Sequence, residues 1–80
     1  MFKDKVAIIT GAFGEIGKTL TRKFGALRAN LVLWDLKIDE SFEQEIRTKG
    51  IECISAAVDI TRQEDIKKNL GCIIEKWGKV

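Results

Sequence analysis

Residues 6–17, which read VAIITGAFGEIG, decide the fold of this chain. The apolar run Val6–Thr10 is rich in β-branched residues and predicts a buried strand. Gly11, Gly14 and Gly17 then supply the backbone freedom and the close approaches that a tight connection from a strand into a helix requires. The stretch therefore predicts a strand, a glycine-rich turn and a helix in direct succession.

The same alternation of strand and helix continues to the end of the sequence. Short apolar runs without strict alternation are typical of parallel strands covered on both faces, and they span Val6 to Thr10, Asn30 to Asp35 and Glu52 to Asp59. A helical pattern follows each run. Three such units predict an α/β fold, a Rossmann-type parallel sheet of strand order 3-2-1 with three helices, which is an incomplete doubly wound fold.

Apolar residues mark the inner face of each predicted helix. Those of the first helix recur at helical spacing and are expected to pack on the sheet; they are Ile16, Leu20, Phe24 and Leu27. The second predicted helix covers residues 41–49, with Ser41 and Gln44 as a capping box and Gly50 at its end. Its apolar pair is Phe42 and Ile46.

The third predicted helix begins with a capping box of Thr61 and Glu64. Its apolar face comprises Ile66, Leu70, Ile73 and Trp77, and Gly78 follows it. Gly71 lies inside this helix, where glycine costs about 1 kcal/mol relative to alanine. Either a neighbour approaches closely at Gly71 or the helix is weakened there.

Length and composition are those of an ordinary small globular domain. The chain has 80 residues, of which 45% are hydrophobic and 32% are charged. Its net charge is +2 and it has no long basic run, so no nucleic-acid partner is expected. The N-terminal residues resemble neither a signal peptide nor a membrane span, so no membrane partner is expected and the predicted location is cytoplasmic.

The sequence offers no set of metal ligands. It contains no histidine, and its two cysteines, Cys53 and Cys72, lack metal-ligand spacing. We therefore predict no metal site and expect both cysteines to be packing residues.

An acidic residue, Asp35, closes the second predicted strand. Glycines at a strand-to-helix turn let the backbone pass close to a pyrophosphate and aim helix N–H groups at it. A carboxylate about 20 residues further on can accept hydrogen bonds from ribose hydroxyls. The glycine-rich turn and Asp35 together predict a dinucleotide site.

Several of these motifs resemble the N-terminal part of the short-chain dehydrogenases/reductases. The resemblance rests on the run Lys5 to Ala12, on Gly17, on Asp35 and on the run Val58 to Thr61. The ending Trp77-Gly78-Lys79-Val80 resembles the lead into the family's fourth strand. The resemblance implies that residues 1–80 are the N-terminal portion of a single NAD(P)-binding Rossmann domain, truncated before that strand.

The resemblance also implies which residues bind the cofactor. They are Gly11, Phe13, Gly14, Glu15, Ile16 and Gly17 in the turn, Asp35 after the second strand, and Asp59 and Ile60 after the third. Asp59 and Ile60 would border the adenine. Asp35 favours NAD over NADP, because its carboxylate can hold the ribose 2′-hydroxyl but repels a 2′-phosphate. Lys37 is near enough along the chain to weaken that preference.

The implied reaction is hydride transfer between a nicotinamide and an alcohol or carbonyl carbon. In the family a Tyr acts as acid-base, a Lys lowers its pKa and a Ser holds the substrate oxygen. This chain contains no tyrosine. We therefore assign no catalytic residue to it, expect the 80-residue chain alone to be inactive, and expect a small-molecule substrate only for a complete parent.

One departure from the family pattern concerns the end of the first helix. Arg28 occupies a position where the family often has glycine. A non-glycine residue at positive φ costs about 1 kcal/mol. Arg28 is therefore expected to end the helix in another way.

Three other interpretations stay open at the level of sequence. The spacing of Gly11, Gly14 and Gly17 resembles the extended branch of the family, which includes sugar-nucleotide epimerases and dehydratases. Residues 12–19 nearly fit the P-loop of nucleotide triphosphatases, in which Lys18 would reach the phosphates. The third interpretation is a non-catalytic nucleotide-binding or interaction module, which self-associates through a first strand that lacks a neighbour on one side.

Overall fold

The computed structural model describes residues 4–78 as three parallel strands that alternate with three helices. The strands are β1 (Val6–Thr10), β2 (Asn30–Asp35) and β3 (Cys53–Ala57), and the helices are α1 (Glu15–Ala26), α2 (Glu40–Thr48) and α3 (Gln63–Trp77). β2 lies between β1 and β3, so the predicted fold class and the strand order 3-2-1 are confirmed. β3 is shorter than the predicted run of residues 52–59. Lys79 and Val80, the last residues of the family-like ending, lie outside the described residues.

β2 is buried on both faces and forms the centre of the core. Leu31 and Leu33 belong to a cluster with residues of α1 and α2, whereas Val32 and Trp34 belong to a cluster with residues of α3. Right-handed crossovers place α1 and α2 on the same face of the sheet, because each of these helices connects one strand to the next in the same direction across the sheet. A strand covered on both faces needs an unbroken apolar run, which is what the sequence of β2 provides.

The buried face of α1 differs from the predicted one. Of the predicted stripe only Phe24 packs against the core, whereas Ile16, Leu20 and Leu27 are 79%, 41% and 39% exposed. The buried residues of α1 are instead the small residues Gly17, Thr21 and Gly25. A Cβ atom at Gly25 would lie 2.6 Å from Cδ1 of Ile51, so a larger residue there would require the end of the Ile51 side chain to move.

The exposed apolar residues of α1 lie on the side away from α2. Lys18 and Arg22 of α1 pair with acidic residues at the start of α2 and within it, and so mark the side that faces α2. At about 100° per residue, Ile16, Leu20 and Leu27 project from the opposite side. They therefore flank β1, at the edge of the described sheet.

α2 begins one residue earlier than predicted. Its N-cap is Asp39, whose Oδ1 accepts a hydrogen bond from the backbone N–H of Phe42 at 3.1 Å. The predicted capping box on Ser41 is therefore wrong, because Ser41 already lies inside the helix. Phe42 and Ile46 are buried as predicted, and Gly50 follows the helix with a positive φ of 77°.

The start of α3 also differs from the prediction. Its N-cap is Arg62, whose side chain makes no capping hydrogen bond. The predicted capping box on Thr61 is wrong, because the Thr61 hydroxyl donates to Oδ1 of Asp59 at 2.6 Å instead. The predicted apolar face is confirmed, since Ile73 is buried and Ile66, Leu70 and Trp77 pack beside it.

Gly71 stands in an open part of α3. A Cβ atom at this position would meet no atom within 4 Å, which excludes a close neighbour among residues 4–78 and leaves the cost in helix propensity. α3 is 15 residues long. No helix in the described part of the chain is long and apolar enough to cross a membrane.

Arg28 takes the left-handed conformation that a glycine would normally occupy. Its φ is 71°, its N–H donates to the Gly25 carbonyl at 3.0 Å, and the Ala29 N–H donates to the Phe24 carbonyl at 3.1 Å. These two bonds form a Schellman motif, which satisfies the last carbonyls of α1. The expectation that Arg28 ends the helix in another way is therefore wrong.

The two cysteines lie in different surroundings. Cys53 is buried in the core as expected, and its burial raises the pKa of its thiol. Cys72 is exposed on α3, so the expectation that it is a packing residue is wrong.

Candidate functional site

The glycine-rich turn connects β1 to an open helix N-terminus. Gly11 has a φ of 62°, a conformation that favours glycine, and its carbonyl accepts the N–H of Gly14 at 3.1 Å. Gly14 is the N-cap of α1 and has no side chain to cap it. The first N–H groups of a helix have no partner within the helix, so those of α1 are available to an anion.

Gly17 allows α1 to pack tightly against this turn. A Cβ atom at Gly17 would lie 2.1 Å from the Gly11 carbonyl oxygen and 2.7 Å from Cα of Ala12. Since these atoms belong to the backbone, no side-chain movement can relieve such a clash. Gly17 therefore fixes the start of α1 at the end of β1.

Asp35 is held in place by the glycine-rich turn. Its Oδ2 accepts a hydrogen bond from the Phe13 N–H at 3.1 Å, and its Oδ1 accepts one from the Leu36 N–H at 2.8 Å. Each carboxylate oxygen retains a lone pair for a further donor. The carboxylate thus lies beside the turn, at the carboxyl end of the parallel sheet.

A groove of about 470 Å³ opens beside Asp35. It is lined by Phe13, Asp35, Leu36, Lys37, Ile38 and Asp39. Ligands of open α/β sheets bind beyond the carboxyl ends of the strands, which is where this groove lies. Sequence reasoning missed Leu36, Ile38 and Asp39, although two large apolar residues in an otherwise polar loop were a signal.

A larger cavity of about 830 Å³ lies at the opposite end of the sheet. It is bordered by residues before β1 and β3 and by the ends of α1 and α2, among them Asp4, Arg28, Lys49 and Glu52. None of the cofactor-binding residues predicted from the sequence lines it. We therefore place the candidate site at the smaller groove, where the glycine-rich turn and Asp35 meet.

Asp59 stabilises the loop that follows β3. Its Oδ1 accepts from the N–H of Thr61 at 2.9 Å and from the Thr61 hydroxyl, and these bonds hold the pKa of the Asp59 carboxyl below its usual value. The N–H of Val58 donates to the backbone carbonyl of Asp35 at 2.8 Å, so this loop starts beside the end of β2. Asp59 and the exposed Ile60 do not line the groove.

Lys18 and Thr19 make contacts unlike those of a P-loop. Nζ of Lys18 lies 3.0 Å from Oδ2 of Asp39, and the Thr19 hydroxyl donates to the Glu15 carbonyl at 3.1 Å. The lysine is therefore paired with α2, and the threonine satisfies a carbonyl of its own helix.

The site joins a parallel sheet, a glycine-rich turn into an uncapped helix and a carboxylate at the end of the second strand. This is the arrangement of a Rossmann-type domain, the class of fold in which dinucleotides are commonly bound. The particular family follows from comparison with known proteins. The chain belongs to the short chain dehydrogenase family, whose model matches residues 5–80. This match favours the oxidoreductase branch over the extended branch and leaves the P-loop alternative without support.

Several proteins of known sequence or structure are similar to this chain. An uncharacterized oxidoreductase of Listeria monocytogenes is 40% identical over 80 residues, covering 98% of this chain and 32% of that protein. A short chain dehydrogenase/reductase from Burkholderia phymatum, solved in complex with NAD, has a TM-score of 0.88 and 31% identity over 99% of this chain and 29% of its own. A metagenomic short-chain oxidoreductase in complex with NADP has a TM-score of 0.87 and 30% identity over 96% of this chain and 36% of its own. The chain thus spans about a third of the length of these proteins.

Proposed function

We propose that this chain binds the adenosine and pyrophosphate portions of a nicotinamide dinucleotide, with NAD preferred over NADP. The observation that carries the proposal is the Asp35 carboxylate, which Phe13 and Leu36 hold at the mouth of the groove. The solved relatives in complex with NAD and with NADP support the cofactor class. They do not distinguish the two cofactors, so the preference for NAD rests on Asp35.

The glycine-rich turn would hold the pyrophosphate. In this proposal the N–H groups of the first turn of α1 donate to the phosphate oxygens, helped by the positive end of the helix dipole. Gly14 lets the phosphates approach the backbone, and Gly11 and Gly17 shape the turn. Glu15 and Ile16 are exposed in the first turn. Glu15 would point to solvent when phosphate is bound, and Ile16 would border the nicotinamide side.

The adenosine would occupy the groove beside Asp35. Its ribose hydroxyls donate to the Asp35 carboxylate, and Phe13 forms one side of the groove. Asp59 and Ile60 border the adenine from the neighbouring loop, with Asp59 accepting from the adenine amino group. Asp59 already accepts two hydrogen bonds from Thr61, which fix its carboxylate in the loop.

The preference for NAD follows from charge. A 2′-phosphate beside Asp35 would be repelled by an energy on the order of 3 kcal/mol for unit charges about 5 Å apart near a protein surface. Lys37 lines the same groove and offsets part of that repulsion. The net effect is a preference for NAD that depends on the Asp35 charge.

The complete enzyme would transfer a hydride between the nicotinamide and an alcohol or carbonyl substrate. The chain spans about a third of its relatives and contains no tyrosine, so the proton-transfer residue of the family has no counterpart in these 80 residues. In this proposal residues 1–80 form the N-terminal portion of the domain, and the substrate binds to residues beyond them. The proposed location is the cytoplasm, where the enzyme would draw on the nicotinamide cofactor pool.

The free edge of β1 is proposed to pair with a further strand. Among the described residues β1 pairs with β2 alone, so one row of its N–H and C=O groups has no strand beside it. Such an edge invites pairing with a strand of the same polypeptide or, in the 80-residue chain, with another copy.

Calorimetric titration of the purified protein with NAD and with NADP tests the proposed cofactor site. The variant Asp35→Asn removes the charge and keeps one oxygen for the Phe13 N–H, but it loses the bond from the Leu36 N–H. Glu75→Gln makes the same change of charge at a remote exposed site on α3. We expect Asp35→Asn to shift the NAD-to-NADP affinity ratio toward NADP by roughly tenfold, which is about 1.4 kcal/mol. Glu75→Gln should leave the ratio unchanged. Equal binding of both dinucleotides by the wild type and by Asp35→Asn would contradict the preference, and no binding of either would contradict the cofactor site.

A further inference from the structure

Lys18 connects α1 to the loop that forms the groove. Its Nζ lies 3.0 Å from Oδ2 of Asp39 and 5.3 Å from the centre of the Phe42 ring. Both ends of this ion pair are partly shielded from water. Lys18 is therefore held by one charged and one aromatic partner, both at the start of α2.

Asp39 occupies the far end of the groove-forming loop. One of its carboxylate oxygens accepts the Phe42 N–H and the other accepts Lys18. Asp39 is also one of the groove residues. The loop of residues 36–38 is thus fixed at both ends. At one end Asp35 is hydrogen-bonded to the glycine-rich turn, and at the other Asp39 is paired with Lys18.

Phe42 links this ion pair back to the glycine-rich turn. The Phe42 ring is buried and meets the Phe13 ring edge to face, with centroids 6.2 Å apart and planes at 85°. The Phe13 N–H in turn donates to Asp35. A continuous set of contacts therefore runs from Lys18 through Phe42 and Phe13 to the carboxylate at the groove.

We propose that Lys18 is a positioning residue of the dinucleotide site, which holds the loop 36–38 and the Phe13–Asp35 contact in the geometry that binds the adenosine. This proposal rests on the proposed cofactor function. The loop needs such a support, because Leu36 and Ile38 are 69% and 40% exposed and contribute little burial of their own. A loop that is already ordered loses less conformational entropy when its ligand binds.

A second ion pair between the same two helices provides a matched comparison. Arg22 of α1 donates to both carboxylate oxygens of Glu45 of α2, at 3.1 and 3.3 Å. Neither residue lines the groove, and the Arg22 guanidinium also lies 5.1 Å from the centre of the Phe42 ring. Glu45→Gln leaves that ring contact in place, so the comparison isolates the ion pair of Lys18 with Asp39. Exposed ion pairs of this kind contribute little to folding stability, so loss of the Arg22–Glu45 pair should change neither the fold nor the affinity for the ligand appreciably.

The test compares dissociation constants for NAD among five variants of the purified protein, measured by calorimetry. Thermal unfolding of each variant is measured without ligand. Lys18→Met keeps most of the side chain's apolar stem but removes the charge. Asp39→Asn keeps a capping oxygen for Phe42 but removes the ion pair. The double variant of the two completes the cycle, and Glu45→Gln is the control.

We expect Lys18→Met and Asp39→Asn each to weaken NAD binding roughly three- to tenfold, the range set by the cost of ordering one or two side chains. The double variant should bind NAD no more weakly than either single variant, because each single substitution already removes the same contact. Lys18→Arg keeps the positive charge and should bind NAD with most of the wild-type affinity. Glu45→Gln should leave it within twofold of the wild type.

Three results would overturn the proposal. If Lys18→Met weakens binding while Asp39→Asn tightens it or leaves it unchanged, the lysine acts directly on the phosphates and not through the loop. If Glu45→Gln weakens binding as much as Asp39→Asn, the effect belongs to helix packing in general. If all variants bind NAD like the wild type, the ion pair does not position the site. A wild type that binds no dinucleotide would instead contradict the proposed function itself.

Discussion

At the scale of single residues, Arg28 leads to a prediction about stability. Its left-handed backbone, with a φ of 71°, costs a non-glycine residue about 1 kcal/mol, and the Schellman hydrogen bonds keep it there. We expect Arg28→Gly to raise the free energy of unfolding by about 0.5–1 kcal/mol, after the greater freedom of glycine in the unfolded chain is subtracted. Chemical denaturation at neutral pH measures this difference.

The control for Arg28 is replacement by alanine. Arg28→Ala removes the guanidinium but keeps a Cβ atom in the left-handed conformation, so it should not stabilise the protein. Equal stabilisation by the glycine and alanine variants would assign the effect to the loss of the arginine side chain and not to the backbone.

The residues of the candidate site were predictable from the sequence to different degrees. Gly11, Gly17 and Asp35 stand at positions where local rules apply, namely a positive φ, a close backbone contact and the end of a strand. The structure places all three where those rules put them. Leu36 and Ile38 were missed, because an irregular loop has no periodicity and the one signal of a groove wall was two large apolar residues beside polar ones.

At the scale of the elements, the helices show where sequence patterns stop being sufficient. The presence and order of all six elements followed from apolar runs and helical spacing. The buried face of α1 did not, because Gly17 and Gly25 approach their neighbours closely yet carry no hydrophobic signal. The start of α2 was predicted wrongly at Ser41, since Asp39 is an equally good N-cap residue two positions earlier. The contact between Asp39 and Lys18, which is distant in sequence, accompanies the cap that the structure adopts.

The Asp39 cap of α2 predicts a dependence of stability on pH. The Phe42 N–H and Lys18 hold the pKa of the Asp39 carboxyl below its usual value. A carboxyl whose pKa is lower in the folded state stabilises the fold above its unfolded pKa of about 3.9, and this contribution is lost as the pH falls through the folded value. The Asp39→Asn variant has no titrating group at this position. The difference in unfolding free energy between this variant and the wild type should therefore change below about pH 4.

Denaturation at pH 7 and at pH 3 measures this effect. We expect the wild type to lose more stability than Asp39→Asn over this interval, so that the gap between them narrows in acid. Both proteins share every other titrating group, which cancels in the comparison. Parallel losses in the two proteins would show that the charge of Asp39 does not stabilise the fold.

At the scale of the whole molecule, one side of the sheet differs from the rest. β2 is covered on both faces, whereas β1 has no strand on its outer side among the described residues. The exposed residues Ile16 and Leu20 of α1, together with its C-cap residue Leu27, lie on that same side. The apolar stripe that the sequence predicts for α1 is therefore present, but it faces the position beyond β1 rather than the strands already formed.

This apolar side predicts that the 80-residue chain associates with itself. An open strand edge beside exposed apolar side chains is a surface on which another strand can pair. In a purified sample the available partner is a second copy of the same chain. We expect the sedimentation coefficient to rise with concentration in the micromolar to millimolar range.

Leu20→Lys should suppress this rise, because a charge on the stripe would have to be desolvated when two copies meet. Ile38→Lys places the same charge at a residue of nearly equal exposure, 40% against 41%, but away from β1, and should leave the association intact. If the wild-type chain stays monomeric at the highest concentration, the free edge of β1 is not a pairing surface in this chain, and the apolar stripe of α1 requires another explanation.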